Sequence, residues 1–434
     1  MKNMTLLHWL YLVNKKQYNY VKLINELCSS QWLSADLIAQ RQLIQLKQIL
    51  EFAKKHTAYY HNTLKNVSID HDITCIKDVN KIPRLPKKDV REKSEEMKSD
   101  RKDLFENQTG GSTGIPLNFY NNKDFLFTQK IAANIRAYTV GGYRLGDKIG
   151  VIWGFDNDLP QWGLKGKIIN HLIAKQYNLN SFKLSKESMA AYIQRLAKSN
   201  VRYIKGYATS LFEIASFILD EGFKFKHQIN ALYSEAEKLD PQKREIIERA
   251  FNAKVFNLYG SREFGTIGIE CIHHSGLHVN FEQLLVEVDS NNEILITSFC
   301  NLGTPMIRYE IGDLAEKLIT EKCACGRASY RLSKIIGRES DNFKTANGKI
   351  IHGEYITHLF YNKPSIKQFQ VIQKSFYNLI VKVVASQHDV KQEIGSVVEG
   401  INKAFGNDIT INVEFVDSIE KSRTGKIKFT IRDF

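Results

Sequence analysis

Apolar residues recur at three- and four-residue spacings, without glycine or proline, through LIAQRQLIQLKQILEFAKK at residues 37–55. This predicts an amphipathic helix within a region that reads as helical up to about residue 65. The pattern breaks at Pro83 and Pro86, where IPRLPKKDV leads into a helix or turn. A glycine-rich stretch follows, and then LNFY, a short β-like run. Between about residues 148 and 260, short apolar runs alternate with helical periodicity. KIGVIWG, VRYIKGY, INALYSE and AKVFNLYG read as strands, and MAAYIQRLAKS, SLFEIASFILDEG and PQKREIIERAF as helices. Such alternation predicts a parallel α/β sheet with helical crossovers, its ligands at the carboxyl ends of the strands. From residue 276 to 317 the texture becomes hairpin-like, with a Ser-Asn-Asn turn inside LLVEVDSNNEILITSF. Residues 350–434 predict a small α+β domain: strands in FQVIQKSFYNLIVKVVAS, a helix near 390–404 and a strand at ITINVEFV.

A chain of 434 residues, 43% hydrophobic, can bury a substantial core and exceeds the usual single compact domain. Two or more domains are expected. The apolar run LLHWLYLV at residues 6–13 is too short to span a bilayer, ends in Lys15 and Lys16, and lacks a small-residue cleavage pattern. The expectation is a cytoplasmic protein with no membrane span. Net charge is +14, from 61 Lys plus Arg against 47 Asp plus Glu. The lysines are spread along the chain without a basic block or RNP signature, so no nucleic-acid partner is expected, whereas a small polyanion such as ATP fits. Six cysteines do not make a disulfide framework; Cys28, Cys75 and Cys300 read as isolated small hydrophobes or free thiols.

TGGSTGIP, residues 109–116, packs three glycines and three hydroxyl residues into a short stretch. Glycine admits positive φ and lets several backbone N–H groups approach one anion, while Thr109, Ser112 and Thr113 add hydroxyl donors. It fits neither the Walker loop nor the dinucleotide fingerprint. Alone, such a stretch is more often a flexible surface turn than a binding loop. Four more segments follow in order: YGSREFG at 259–265, IRYEIGDLA at 307–315, GRESDNFKTANGKII at 337–351 and SRTGKIKF at 422–429.

This series resembles the adenylate-forming enzymes of the acyl-CoA synthetase superfamily, and within it the phenylacetate–CoA ligase branch, especially its CapK-like members from surface polysaccharide clusters. Gln31-Trp32 and HTAYYHNTL resemble the opening segment of that branch. The resemblance implies an α/β fold: a large N-terminal adenylating domain with parallel sheets and a β-rich subdomain (1–337), and a small mobile α+β C-terminal domain (338–434). It implies that Thr109, Gly110, Gly111, Ser112, Thr113 and Gly114 hold the ATP β- and γ-phosphates. Many members carry Lys before the loop proline, where this chain has Ile115. Glu263 matches the acidic position that holds Mg²⁺, and a single carboxylate plus phosphate oxygens suits that ion. Tyr259, Gly260 and Ser261 line the adenine side, and Arg262 stands where Thr or Ser is usual, a guanidinium that can still pair with phosphate. Asp313 matches the acceptor of both ribose hydroxyls, Arg338 a further nucleotide contact, and 339–341 the hinge. Lys426 matches the adenylation lysine, which with Glu263 completes the catalytic pair; a solvated basic tail is the plainer reading of its surroundings.

The other cysteines form a separate set. Cys323-Ala-Cys325 is a CxC pair, and Cys271 opens CIHHSGLH. Three thiolates and one imidazole make a closed tetrahedral structural zinc site, with His278 preferred and His274 second, against reduced cysteines in loops. CxC followed by Gly-Arg also occurs in zinc-bearing members of the branch.

The implied function is an ATP- and Mg²⁺-dependent, AMP-forming ligase. It would activate a carboxylic acid as acyl-AMP, release pyrophosphate and transfer the acyl group to a thiol, of CoA or a carrier protein, or to an amine, within capsular polysaccharide biosynthesis. Trp153, Phe155, Trp162, Tyr207 and Tyr233 are candidates for the acid pocket, although aromatics at such spacing also build cores. A homodimer is the assembly to test. The reading from another class is a non-catalytic subunit of a polysaccharide assembly complex.

Overall fold

The computed structural model describes residues 18–108, 117–153, 175–181, 185–338, 343–347, 350–351, 353–360, 363, 365–385, 390–406, 408–420 and 428–434. These form two compact units, the larger from described residues up to 311 together with 316–334, the smaller from 312–315 and 335–434.

In the larger unit, α1 (Tyr18–Ser30) precedes α2 (Ala35–His56). Ser34 caps α2 by accepting from the Leu37 N–H, and Ile38, Leu46, Ile49, Leu50 and Ala53 are buried at the predicted helical spacing. β1 (Leu104–Gln108) and β2 (Asn118–Asn122) pair antiparallel with Gln108 opposite Asn118, so the glycine-rich segment joins two paired strand ends. α3 (Lys130–Tyr138) follows.

The central sheet grows from β3 (Ile149–Trp153), β4 (Gln176–Asn180), β5 (Tyr203–Tyr207), β6 (Ala231–Glu235) and β7 (Lys254–Ser261), which run parallel. α4 (Lys186–Lys198), α5 (Ala208–Asp220) and α6 (Pro241–Phe251) are the crossovers. Neighbouring strand residues go to opposite cores. Val151, Tyr203, Ala231, Tyr233 and Phe256 pack with Ala137 and Tyr138 of α3, while Ile152, Ile204, Leu232 and Val255 pack with Leu196, Leu211, Ile214 and Ile247 of the crossover helices. Burial on both faces is why these strands read as continuous apolar runs rather than alternating ones.

Beyond β7 the sheet turns antiparallel through β8 (Gly265–Glu270) and β9 (Leu277–Val279). After the hairpin β10 (Leu284–Val288) and β11 (Glu293–Ser298), β12 (Tyr309–Ala315) leads into the smaller unit, and the chain returns as β13 (Leu318–Ile319) and β14 (Arg331–Leu332). The nine-stranded order is β13-β14-β9-β8-β7-β6-β5-β3-β4. The sheet is therefore mixed, because the β7–β8 connection is a tight turn that cannot cross over; these short antiparallel strands were not apparent from the hydrophobic pattern.

In the smaller unit β15 (Ile335–Arg338) pairs antiparallel with β12, placing Asp313 opposite Arg338. β16 (Phe343–Lys344) pairs with β17 (Ile350–Ile351), and α7 (Gly353–His358) follows. The hairpin β18 (Ile366–Ser375) and β19 (Asn378–Ala385), α8 (Val390–Phe405), β20 (Thr410–Phe415) and β21 (Thr430–Arg432) give a sheet of order β20-β19-β18-β21. Val371, Val381 and Val383 of the sheet pack against Ile394, Val397 and Ile401 of α8. Among the described residues no helix is long and apolar enough to cross a membrane.

Arg308 stitches the segment after α2 to the hairpin. Its guanidinium meets both oxygens of Glu287, at 2.9 Å and 3.1 Å, and donates to the carbonyls of Asn80 and Ile82 at 3.1 Å and 2.6 Å. Arg308→Met leaves the Glu287 carboxylate and two carbonyls without their partner. We expect a loss of about 3 kcal/mol, at the lower end for a broken buried pair because Glu287 keeps some solvent contact; urea unfolding measures it.

Candidate nucleotide site and metal centre

YGSREFG is the junction at which the sheet reverses direction. Tyr259, Gly260 and Ser261 lie inside β7, which shifts register between Tyr259 and Gly260 before the turn into β8. A Cβ at Gly260 would stand 2.6 Å from the Gly265 carbonyl oxygen, and Gly265 has φ +73°, so both glycines are required by the turn. Ser261 Oγ accepts from the Phe264 N–H at 3.2 Å. Glu263, at the tip, is 6% exposed, and its carboxylate faces the Lys130 ammonium electrostatically.

Arg262 donates through Nη1 to the carbonyl of Gln108, 3.1 Å away, immediately before Thr109. The turn and the root of the glycine-rich segment are thus joined. Lys130, at the start of α3, donates from Nζ to the Arg262 carbonyl at 2.5 Å and lies 4.9 Å over the Phe125 ring. Burial pulls its ammonium down to about 8, against the opposing Glu263 carboxylate. Lys130 was not singled out from sequence; nothing in its local pattern marks it.

Asp313 is 8% exposed on β12, just after Gly312 at φ +79°, and faces Arg338 across the β12–β15 pair. Thr109, Gly110, Gly111, Ser112, Thr113, Gly114, Lys426, Phe155, Trp162 and residues 339–341 lie outside the described residues, as do the side chain of Arg338 and the apolar run at 6–13.

At the carboxyl end of the parallel strands, Trp153 and Tyr207 stack on each other, ring centroids 4.3 Å apart. Tyr233 is fully buried, its hydroxyl donating to the Tyr138 carbonyl, and it belongs to the core. Beside the stacked pair runs a polar row missed by sequence: Tyr138 donates its hydroxyl to Glu235 at 2.6 Å and accepts from Lys205 Nζ at 3.0 Å, and Lys205 lies 5.8 Å from the Trp153 ring. Burial and the Glu235 carboxylate push the Tyr138 phenol well above its ordinary range.

The cysteine set converges at the antiparallel end of the sheet. The ligand atoms of Cys271, His278, Cys323 and Cys325 lie within 4.8 Å of one another. Cys271 Sγ is 3.7 Å from Cys323 Sγ, and His278 Nε2 is 3.4 Å from Cys325 Sγ. Gly326, at φ +94°, closes the CxC turn by donating to the Cys323 carbonyl at 2.9 Å, and Cys323 N–H returns to the Arg327 carbonyl at 3.0 Å. His278 Nδ1 is held by the Ser329 hydroxyl at 3.0 Å, leaving Nε2 to face the thiols. Burial, then the nearby Arg327, lowers the imidazole to about 3, so it is the neutral donor a metal needs. His274, the second choice, instead meets Glu270 and Arg244, each at 3.0 Å.

This turn is tied to the helical start of the chain. Arg327 donates from Nε and Nη2 to Gln31 Oε1 at 3.0 Å and 2.9 Å, donates to Cys325 Sγ at 3.4 Å, and lies 4.6 Å over the Trp32 ring.

Residues 343–433 match the family described as the CapK C-terminal domain. The chain is 25% identical to the protein CapK of Staphylococcus aureus over 411 residues, 90% of this chain and 88% of that one. It is 23% identical to a phenylacetate-coenzyme A ligase of Pseudomonas putida over 71% of this chain and 72% of the other. Among solved structures, a 2-hydroxyisobutyryl-CoA ligase in its postadenylation state superposes with TM-score 0.71, at 19% identity, over 93% of this chain and 92% of that one. The chain thus shares the fold of an acyl-CoA ligase and is similar in sequence to CapK and to phenylacetate-coenzyme A ligases. The C-terminal match and the near full-length likeness to CapK point the same way.

The donor set fits zinc, and purified protein is expected to carry it stoichiometrically in elemental analysis, with Cys271→Ser and Cys325→Ser losing it. Chelation should also raise hydrogen exchange around Gln31 and Trp32, where Arg327 anchors. Metal-free protein with unchanged exchange there would reject the site.

Proposed function

We propose that the chain is an ATP- and Mg²⁺-dependent ligase that activates a carboxylic acid as its acyl-adenylate, releases pyrophosphate, and passes the acyl group to a thiol acceptor. The observation that carries this is the Glu263 carboxylate, buried at the tip of a glycine-constrained turn whose peptide is gripped by the Lys130 ammonium. A buried carboxylate at such a turn suits a divalent ion shared with phosphate oxygens, which adds to the compensation from Lys130.

On this reading residues 1–337 form the adenylating domain and 338–434 the small domain carrying Lys426. Tyr259, Gly260 and Ser261 border the adenine, Asp313 accepts the ribose diol through its two oxygens, and Arg338 adds a nucleotide contact. The donors of 109–114 and the Arg262 guanidinium neutralise phosphate, so that an anionic carboxylate can approach. Lys426 draws carboxylate and α-phosphate oxygens together, placing attacking oxygen, phosphorus and departing pyrophosphate in line. Likeness to two named CoA ligases favours CoA as the acceptor. An amine or carrier-protein acceptor, and a place in surface polysaccharide synthesis suggested by CapK, are the outcomes a screen must separate. Zinc is assigned a structural role, since its four ligands leave no open position.

A pyrophosphate-release screen over aryl, fatty, hydroxy and amino acids, with and without CoA, tests the reading. Lys426→Ala is expected to cut carboxylate-dependent release by roughly 10²-fold or more while ATP binding persists. Glu263→Gln should instead abolish the Mg²⁺ dependence of nucleotide binding. Unchanged release in Lys426→Ala would falsify the catalytic assignment.

A further inference from the structure

Lys130 lies outside the motifs, yet three features of the turn depend on it. Its ammonium bonds the Arg262 carbonyl at 2.5 Å, and that carbonyl shares one peptide plane with the N–H of Glu263. Its stem crosses Gly265, where a Cβ would stand 3.1 Å from Lys130 Cγ. Arg262, whose carbonyl it grips, donates through its side chain to the Gln108 carbonyl at 3.1 Å. The turn carrying Glu263 is therefore pinned at two points, by an ammonium at its carbonyl and by a guanidinium at the end of β1.

We propose that Lys130 is a positioning residue that, through the Lys130–Arg262–Gln108 strut, sets the aim of the Glu263 carboxylate at the nucleotide-bound divalent cation. This rests on the reading of Glu263 as a Mg²⁺ ligand. The peptide before Glu263 has few ways to turn while its carbonyl accepts a charge-assisted bond. Releasing it lets the carboxylate relax away from the phosphate side. Lys130 itself acts on the protein, not on the nucleotide, so its effect passes through the metal.

Calorimetric binding of MgATP, and of ATP in EDTA, to the full chain separates these roles without knowledge of the acid. Lys130→Met, which keeps the stem and removes the donor, is expected to weaken MgATP by about tenfold while leaving metal-free ATP near its original affinity. Lys130→Arg, which restores a charged donor, should recover most of the loss. Where Lys130→Met does not fold, Lys130→Gln, which removes the charge and keeps a neutral donor, reads the same contact and is expected to show a smaller but still metal-selective loss. Unchanged MgATP affinity in the folded variant overturns the inference, as does an equal loss for metal-free ATP. Absence of any MgATP binding by the unsubstituted protein overturns the functional reading on which it rests.

Discussion

A carboxylate kept from water at the tip of a tight turn is the constraint around which the larger unit is arranged. Glu263 can hold its place only because the β7–β8 turn is fixed by geometry. Gly260 lets the backbones close to a distance no Cβ would permit, and Gly265 supplies the positive φ that brings the chain back. The parallel strands deliver β7 to this point, and the antiparallel strands carry the chain away to the cysteine cluster. Reversal of direction at β7 thus separates the two clusters of this unit: the charged turn around Glu263, and the cysteine–histidine cluster at the far edge.

The parallel half presents a different surface at its carboxyl end. Trp153 and Tyr207 spend their faces on one another, and the polar row Lys205–Tyr138–Glu235 runs beside them. The row joins a cation to an anion through a phenol that burial keeps protonated, so it adds little net charge to the sheet edge. Shape and hydrogen bonding, rather than a strong local field, are what this edge contributes.

Much of the architecture was legible because its periodicities are strong. Residues 37–55 and the three crossover helices announce themselves at helical spacing, and the apolar runs of β3, β5, β6 and β7 follow from burial on both faces. The four residues of the cysteine–histidine cluster were legible as residue types, since CxC with Gly326 specifies its own turn. What lay hidden was long-range. Lys130 meets Arg262 across 132 residues, and no local pattern encodes that contact. Trp153 and Tyr207 were legible as aromatics but not as partners of one another, because stacking is decided by strand order. The antiparallel extension of the sheet was hidden for a similar reason: strands of two or three residues carry no period.

Arg327 couples that hidden order to the way the chain is made. Gln31, which its guanidinium grips, is separated from it by 296 positions, and Trp32 shares the same guanidinium face. During synthesis α1 and the start of α2 emerge long before the residues that seat them. Only when the CxC turn has been translated, and its thiols have found His278 across the sheet, can the junction of those helices be closed. Closing that corner therefore draws on residues at opposite ends of the larger unit's sequence, and a nascent chain halted before residue 327 would lack the guanidinium that grips Gln31.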